Sequence, residues 1–151
     1  IDVYDRQIVG YHIGLTCEAR HAVETLRTAL WKRQILQHNG PLPIIRSDNG
    51  PQFVSHLFES ECDRWNALHE RIPPKTPNMN AHIESYHRLL EDECLSMYEF
   101  ESYAEAYQAV EEFVRRYNNR RLHSSLHYLP PAEFHRRHLE TGLQPKRPVR
   151  V

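Results

Sequence analysis

Apolar and polar positions fall into short blocks along the chain, and the blocks switch between a period of two and a period near 3.6. Ile8-Val9-Gly10-Tyr11-His12-Ile13-Gly14 is rich in β-branched and aromatic residues and follows the polar turn Tyr4-Asp5-Arg6-Gln7. It is predicted as a strand, paired in a hairpin with the tail of another at Ile1-Asp2-Val3. Thr16 can cap a helix running to about Gln37, on which Ala22, Leu26, Ala29, Leu30 and Arg33 follow one face. Asn39-Gly40-Pro41 stops that helix, and the apolar run Leu42-Pro43-Ile44-Ile45, continued to Ser47, predicts a short buried strand. Ser55 can cap the next helix, to about Trp65, with Leu57, Phe58, Cys62 and Trp65 at helical spacing. His69 to Ile72 reads as an edge strand.

Pro73, Pro74 and Pro77 then impose an extended loop, since proline has no amide donor and turns its predecessor away from helix. A helix is predicted from about Asn78 to Glu93. Ser102 with Glu105 makes a capping-box pattern that opens another, to about Tyr117. Pro131 suits the first turn of a last helix, Ala132 to His138, and Gln144 to Val151 reads as a tail. Strands first, then helices alternating with single strands, point to a mixed α/β sheet flanked by helices.

The length of 151 residues suits one domain, placed at 1–140, with a basic C-terminal tail at 141–151. A hydrophobic content of 40% and a charged content of 26% are those of a globular chain rather than a disordered one. No apolar stretch approaches the roughly 18 residues of a membrane helix, so no membrane partner is expected. The first residues lack the pattern of a signal peptide, and Cys17, Cys62 and Cys94 read as reduced thiols, which together suggest the cytoplasm. Charge changes the picture once it is divided along the chain. Residues 1–114 hold 10 Lys and Arg against 18 Asp and Glu, whereas residues 115–151 hold 9 against 2. A basic surface near the C-terminus would suit nucleic acid, and a solvated basic helix and tail would explain the numbers equally well.

Two carboxylates carry the candidate chemistry. Asp48 ends the apolar strand in Ser47-Asp48-Asn49-Gly50-Pro51-Gln52-Phe53, and Glu84 lies 35 intervening residues later in Asn80-Ala81-His82-Ile83-Glu84-Ser85-Tyr86-His87. Acids at a strand end and on a helix flank can hold magnesium, which takes oxygen ligands and keeps several waters. Each has a plainer reading. Asp-Asn-Gly is ordinary turn chemistry, and a helical glutamate is usually solvated. Ile83, Tyr86, Leu90 and Cys94 form the apolar stripe of that helix, which puts Glu84 on its rim in line with Asn80, Arg88 and Glu91. The strip suits DNA phosphates, and an i,i+4 pair between Glu84 and Arg88 would also account for it. Arg120, Arg121 and His123, in Tyr117-Asn118-Asn119-Arg120-Arg121-Leu122-His123-Ser124-Ser125-Leu126, can bind phosphate or cap the preceding helix. His82 and His87 are five apart and do not share a helix face as zinc ligands would.

Taken jointly, these segments resemble the catalytic core of the DDE-type transposases and integrases, nearest to bacterial insertion-sequence transposases of the IS-three group and their retroviral integrase relatives. Asp2 to Tyr11 resembles the family's second and third strands, Ile45 to Phe53 the segment of its second catalytic acid, and Asn80 to His87 that of its final glutamate. Tyr117 to Leu126, with Pro131 and Phe134, resembles its closing signature. The resemblance implies a ribonuclease-H-like fold whose first three strands are antiparallel. It implies an Asp-Asp-Glu triad on two Mg2+ or Mn2+ ions, with Asp48 and Glu84 as catalytic metal ligands. It places Arg88 where relatives hold DNA ends, with Asn80 one turn before the glutamate on the same strip, and Arg120, Arg121 and His123 are the further DNA-binding candidates. The activity implied is cleavage and strand transfer between transposon ends and target DNA, by a homo-oligomer associated with the nucleoid.

One departure is expected to matter. The family's first aspartate lies upstream of the segment that Ile1-Asp2-Val3 resembles, so the first strand and most of the second are expected to be missing, and the chain to be inactive alone. Asp2 and Asp5 are the acids nearest to a substitute, although Asp2 matches a non-catalytic position. A non-catalytic DNA-binding or assembly module is the alternative reading.

Overall fold

The apolar run ahead of Asp48 folds into strand β1 (Ile45–Ser47), which pairs in parallel with β2 (His69–Arg71). Ile45 faces His69, Arg46 faces Glu70 and Ser47 faces Arg71. These observations come from a computed structural model that describes residues 1–34, 43–73, 76 and 79–147. The chain forms two units, one of residues 9–81 and one that joins residues 1–8 to 82–151.

In the 9–81 unit, helix α1 (Ala19–Lys32) buries Val23, Leu26 and Leu30, one per turn, against Phe58 and Cys62 of helix α2 (His56–Arg64). Ile45 of β1, with Phe53 and Trp65, closes this core. Ser55 caps α2 as expected, its hydroxyl accepting the Phe58 N–H at 3.2 Å. Thr16 does not cap α1. Glu18 does, and the Thr16 hydroxyl donates to its carboxylate at 3.2 Å. The Glu18 N–H is accepted by the His21 ring at 3.4 Å, so the helix begins at Ala19. The helix ends at Lys32, short of the expected Gln37: Arg33 is its C-cap and Gln34 turns to φ 54, while the expected Asn39-Gly40-Pro41 stop lies outside the described residues.

The expected strand over residues 8–14 does not form. A strand needs a neighbour to receive its amides and carbonyls, and here Ile8 is served otherwise. The Asn118 side chain accepts the Ile8 N–H at 2.9 Å and donates to the Ile8 carbonyl at 3.0 Å. The turn before it does form: the Asp2 N–H donates to the Gln7 carbonyl at 2.9 Å, and the Arg6 N–H to the Asp2 carbonyl at 2.8 Å. Gly10 lies against α1, where an added Cβ would stand 2.7 Å from the Thr25 carbonyl oxygen.

In the other unit, α3 (Ala81–Glu93), α4 (Tyr103–Arg120) and α5 (Pro131–Thr141) surround a core that includes Tyr86, Phe113, Tyr117, Leu126 and Phe134. Tyr86 stands edge-on to Tyr117 at 5.3 Å between ring centroids. Ser102 caps α4, as its pattern predicts, by accepting the Glu105 N–H at 3.2 Å. The helix runs three residues past the expected Tyr117. Pro131 opens α5, and Gly142, at φ 72, ends it by donating its N–H to the His138 carbonyl at 2.8 Å. Among the described residues no helix is long and apolar enough to cross a membrane.

Candidate active site

Asp48 follows β1 directly and is exposed. One carboxylate oxygen, Oδ1, accepts the Gly50 N–H at 2.8 Å, which is the turn contact the sequence allows. Among the described residues no other hydrogen bond or ion pair engages the carboxylate, which leaves Oδ2 open to a ligand. The backbone beneath it is held firmly. The Ser47 hydroxyl donates to the Asp48 carbonyl at 2.8 Å and lies 2.8 Å from His69 Nε2, and the Asn49 amide donates to the Ile72 carbonyl at 2.8 Å. Burial, then the Arg71 charge, pushes the His69 pKa down. The ring is thus neutral, and with the Ser47 hydrogen committed to Asp48 its Nε2 acts as the donor. Nothing in the sequence marks His69 for this role, because the contact exists only once β1 and β2 are in register.

Glu84 lies in the first turn of α3, exposed and one helical step from half-buried Ile83, on the rim the apolar stripe predicts. Among the described residues its carboxylate has no hydrogen bond or ion pair, and Arg88, exposed one turn further, has none either. The i,i+4 pair that would explain both residues locally is therefore not made. Asn80 immediately precedes the helix and is half-buried.

The remaining expected DNA contacts divide. Arg120, the last residue of α4, is exposed and makes no hydrogen bond or ion pair among the described residues. Arg121 is engaged: its guanidinium donates to both carboxylate oxygens of Glu93, at 2.7 and 2.8 Å, and lies 6.0 Å from the Tyr117 ring centre. Burial, followed by the charges of Arg121 and Arg6, lowers the His123 pKa to about 4. Several arginines of residues 115–151 are paired locally, Arg115 with Glu112, and Arg136 and Arg137 with Glu133. Asp2 and Asp5 serve the turn. Asp2 accepts the Tyr4 N–H at 2.9 Å, and buried Asp5 accepts the Gln7 N–H at 3.0 Å and meets His135 Nδ1 at 2.9 Å.

Magnesium commonly takes one or two carboxylates and completes its shell with water and substrate phosphate. Taken one by one, the Asp48 carboxylate, with one oxygen open, and the Glu84 carboxylate, unpaired among the described residues, are donors of the kind that ion takes. Among the described residues no group of three or more His, Cys, Asp or Glu is gathered for a metal.

Residues 1–77 match the family model described as Integrase core domain, and residues 66–131 match a second model with the same description. The chain belongs to the integrase core domain family. Its relatives include the transposase for insertion sequence element IS904 of Lactococcus lactis, 30% identical over 135 residues that make up 89% of this chain and 52% of the relative. An uncharacterized 39.2 kDa protein of insertion element IS476 from Xanthomonas euvesicatoria is 40% identical over 90 residues, 60% of this chain and 26% of the relative. This integrase core chain thus spans between about a quarter and a half of those relatives. The crystal structure of the catalytic core domain of BIV integrase covers 84% of this chain and 76% of its own, with a TM-score of 0.56 and 23% identity. That likeness establishes the ribonuclease-H-like fold for this integrase core, although its sheet has only two paired strands among the described residues.

Proposed function

We propose that this chain serves DNA integration in transposition, with Asp48 and Glu84 as ligands of catalytic Mg2+ or Mn2+. The observation that carries the reading is that, among the described residues, both motif acids keep a carboxylate free of ion pairs, beside a strand end and on a helix rim. Membership of the integrase core family supports the DNA substrate, and the transposases among the relatives support transposon ends as the form of that DNA.

Within this reading the residues have separate tasks. Gly50 fixes one Asp48 oxygen through its amide, and Ser47 and Asn49 hold the backbone on either side, so the second oxygen is presented in one direction. Glu84 offers its carboxylate from the rigid first turn of α3. Arg88, one turn on, supplies a guanidinium suited to a phosphodiester oxygen. Divalent ions, when bound, supply charge neutralisation at the phosphate and ease loss of a proton from the attacking water. The protein then contributes position and fixed charge rather than a covalent intermediate. The resemblance implies a third acid, and since Asp5 is tied to Gln7 and His135, this polypeptide taken alone is expected to transfer strands poorly. Transposon-end and target DNA, and further copies of the same protein, are the partners this reading calls for.

The test is Mn2+ binding together with strand transfer on transposon-end DNA, comparing the unaltered protein with Asp48→Asn and Glu84→Gln. Both substitutions are expected to weaken Mn2+ binding and to abolish any transfer. Mn2+ affinity and transfer that survive Glu84→Gln unchanged would remove the site assignment. A non-catalytic DNA-binding module is the second reading, favoured by Arg120, which is exposed and unpaired among the described residues. It predicts DNA binding that persists without either acid.

A further inference from the structure

A cavity of about 840 Å3 opens within the unit of residues 1–8 and 82–151, lined among others by Arg6, His82, Tyr117, Arg121, His123 and Arg147. Ser85 and Ser125 add hydroxyls to its wall, and among the described residues no carboxylate lines it. Three guanidiniums therefore face a space without a neutralising acid on its surface, although Arg121 is shared with Glu93 behind it. Two nitrogens in this wall, Arg6 Nη1 and His123 Nε2, are buried and have no hydrogen-bond partner among the described residues. Buried polar atoms in folded proteins are nearly always paired, and the exceptions mark sites that a ligand or ion completes. Arg6 is also held at φ 64, a left-handed backbone conformation uncommon for a residue with a side chain. The turn closed by Asp2 and Gln7 keeps it there. Burial, then the charges of Arg121 and Arg6, lowers the His123 pKa, so both guanidiniums act on that ring.

We propose that this cavity binds a phosphate group, with Arg6 and His123 donating through their unpaired nitrogens and Arg121 and Arg147 supplying flanking charge. Guanidinium, imidazole and hydroxyl donors arriving from several directions suit an anion with many acceptor oxygens better than a planar carboxylate. The cavity has room for what is attached to the phosphate, so free phosphate and a DNA phosphodiester share the same chemistry. The assignment does not depend on Asp48 or Glu84, and its failure would leave the strand-transfer reading intact.

The experiment is an NMR titration of the full chain with inorganic phosphate, following the histidine ring signals, at constant ionic strength set by chloride. A saturable shift of the His123 ring is expected, with affinity about tenfold lower in Arg6→Gln. Arg147→Gln, at the exposed edge, is expected to weaken binding less and to leave the fold unchanged. A short DNA duplex forms the second arm. Displacement of phosphate by the duplex assigns the cavity to the DNA backbone, and independent binding of the two assigns it to free phosphate. No saturable shift in the unaltered protein, or the same shift with chloride, overturns the proposal. So does undiminished affinity in an Arg6→Gln variant whose amide spectrum is native.

Discussion

Glu61 offers the sharpest test of how the unit that carries Asp48 is held together. Its carboxylate is 6% exposed, accepts two bonds from the Arg27 guanidinium at 2.7 Å each, and accepts the Trp65 indole N–H at 2.5 Å. It thereby ties α2 to α1 across the edge of their shared core. The Arg27 bonds, opposed by burial and assisted by Trp65, lower its pKa from 4.5 to about 2. At about 1.4 kcal/mol for each tenfold change in proton affinity, the ceiling on this contribution is about 3 kcal/mol. Arg27 is 49% exposed, and water screening reduces the expected figure to about 1–2 kcal/mol. Because the carboxylate is a stronger acid folded than unfolded, the contribution is complete above about pH 4.5 and is lost as pH falls toward 2. Glu61→Gln keeps the shape and an acceptor for Trp65 but loses the charge. Urea unfolding followed by circular dichroism should show a gap of about 1–2 kcal/mol between the two proteins at pH 7. The gap should close between pH 4.5 and about 2. A gap absent at pH 7, or undiminished at the acid end, would refute the argument.

Other expectations follow from single contacts. Asn118→Ala removes both bonds to Ile8 and should destabilise the protein by about 2 kcal/mol in the same assay, at about 1 kcal/mol per bond. Gly10→Ala forces a Cβ against the Thr25 carbonyl, which is backbone and cannot swing aside, so a loss of about 1–3 kcal/mol is expected in thermal unfolding. Arg120→Ala should weaken DNA binding at all sequences and lower the salt slope by about one ion, whereas Arg121→Ala, whose partner is Glu93, should also reduce stability.

The sequence showed Asp48 at a strand end because an apolar run and a turn tripeptide bracket it within ten residues. The rim position of Glu84 followed from the spacing of Ile83, Tyr86, Leu90 and Cys94 alone. Ser55, Ser102 and Pro131 were legible for the same reason, since capping and proline effects act over three or four residues. Contacts that cross elements were not legible. The Ile8 segment has the composition of a strand, yet composition says nothing about whether a neighbour will pair with it, and Asn118 is 110 residues away. Arg121 reads as a free cation until Glu93 is brought beside it from another helix. Thr16 and Glu18 were both within reach of the helix start, and the choice turned on one residue's extended backbone. Ser47 and His69 became partners only through strand register.

The β1–β2 pair is three residues long, so its ladder alone resists slippage weakly, and a slip by one position would turn every side chain to the opposite face. The clasp between the Asn49 amide and the Ile72 carbonyl lies just past the last paired residues and works as a latch on alignment. Loosening it would rotate Asp48, the proposed metal ligand, away from its bearing without altering a single atom of that residue. Loss of activity from a change at position 49 would then be an error of aim rather than of chemistry.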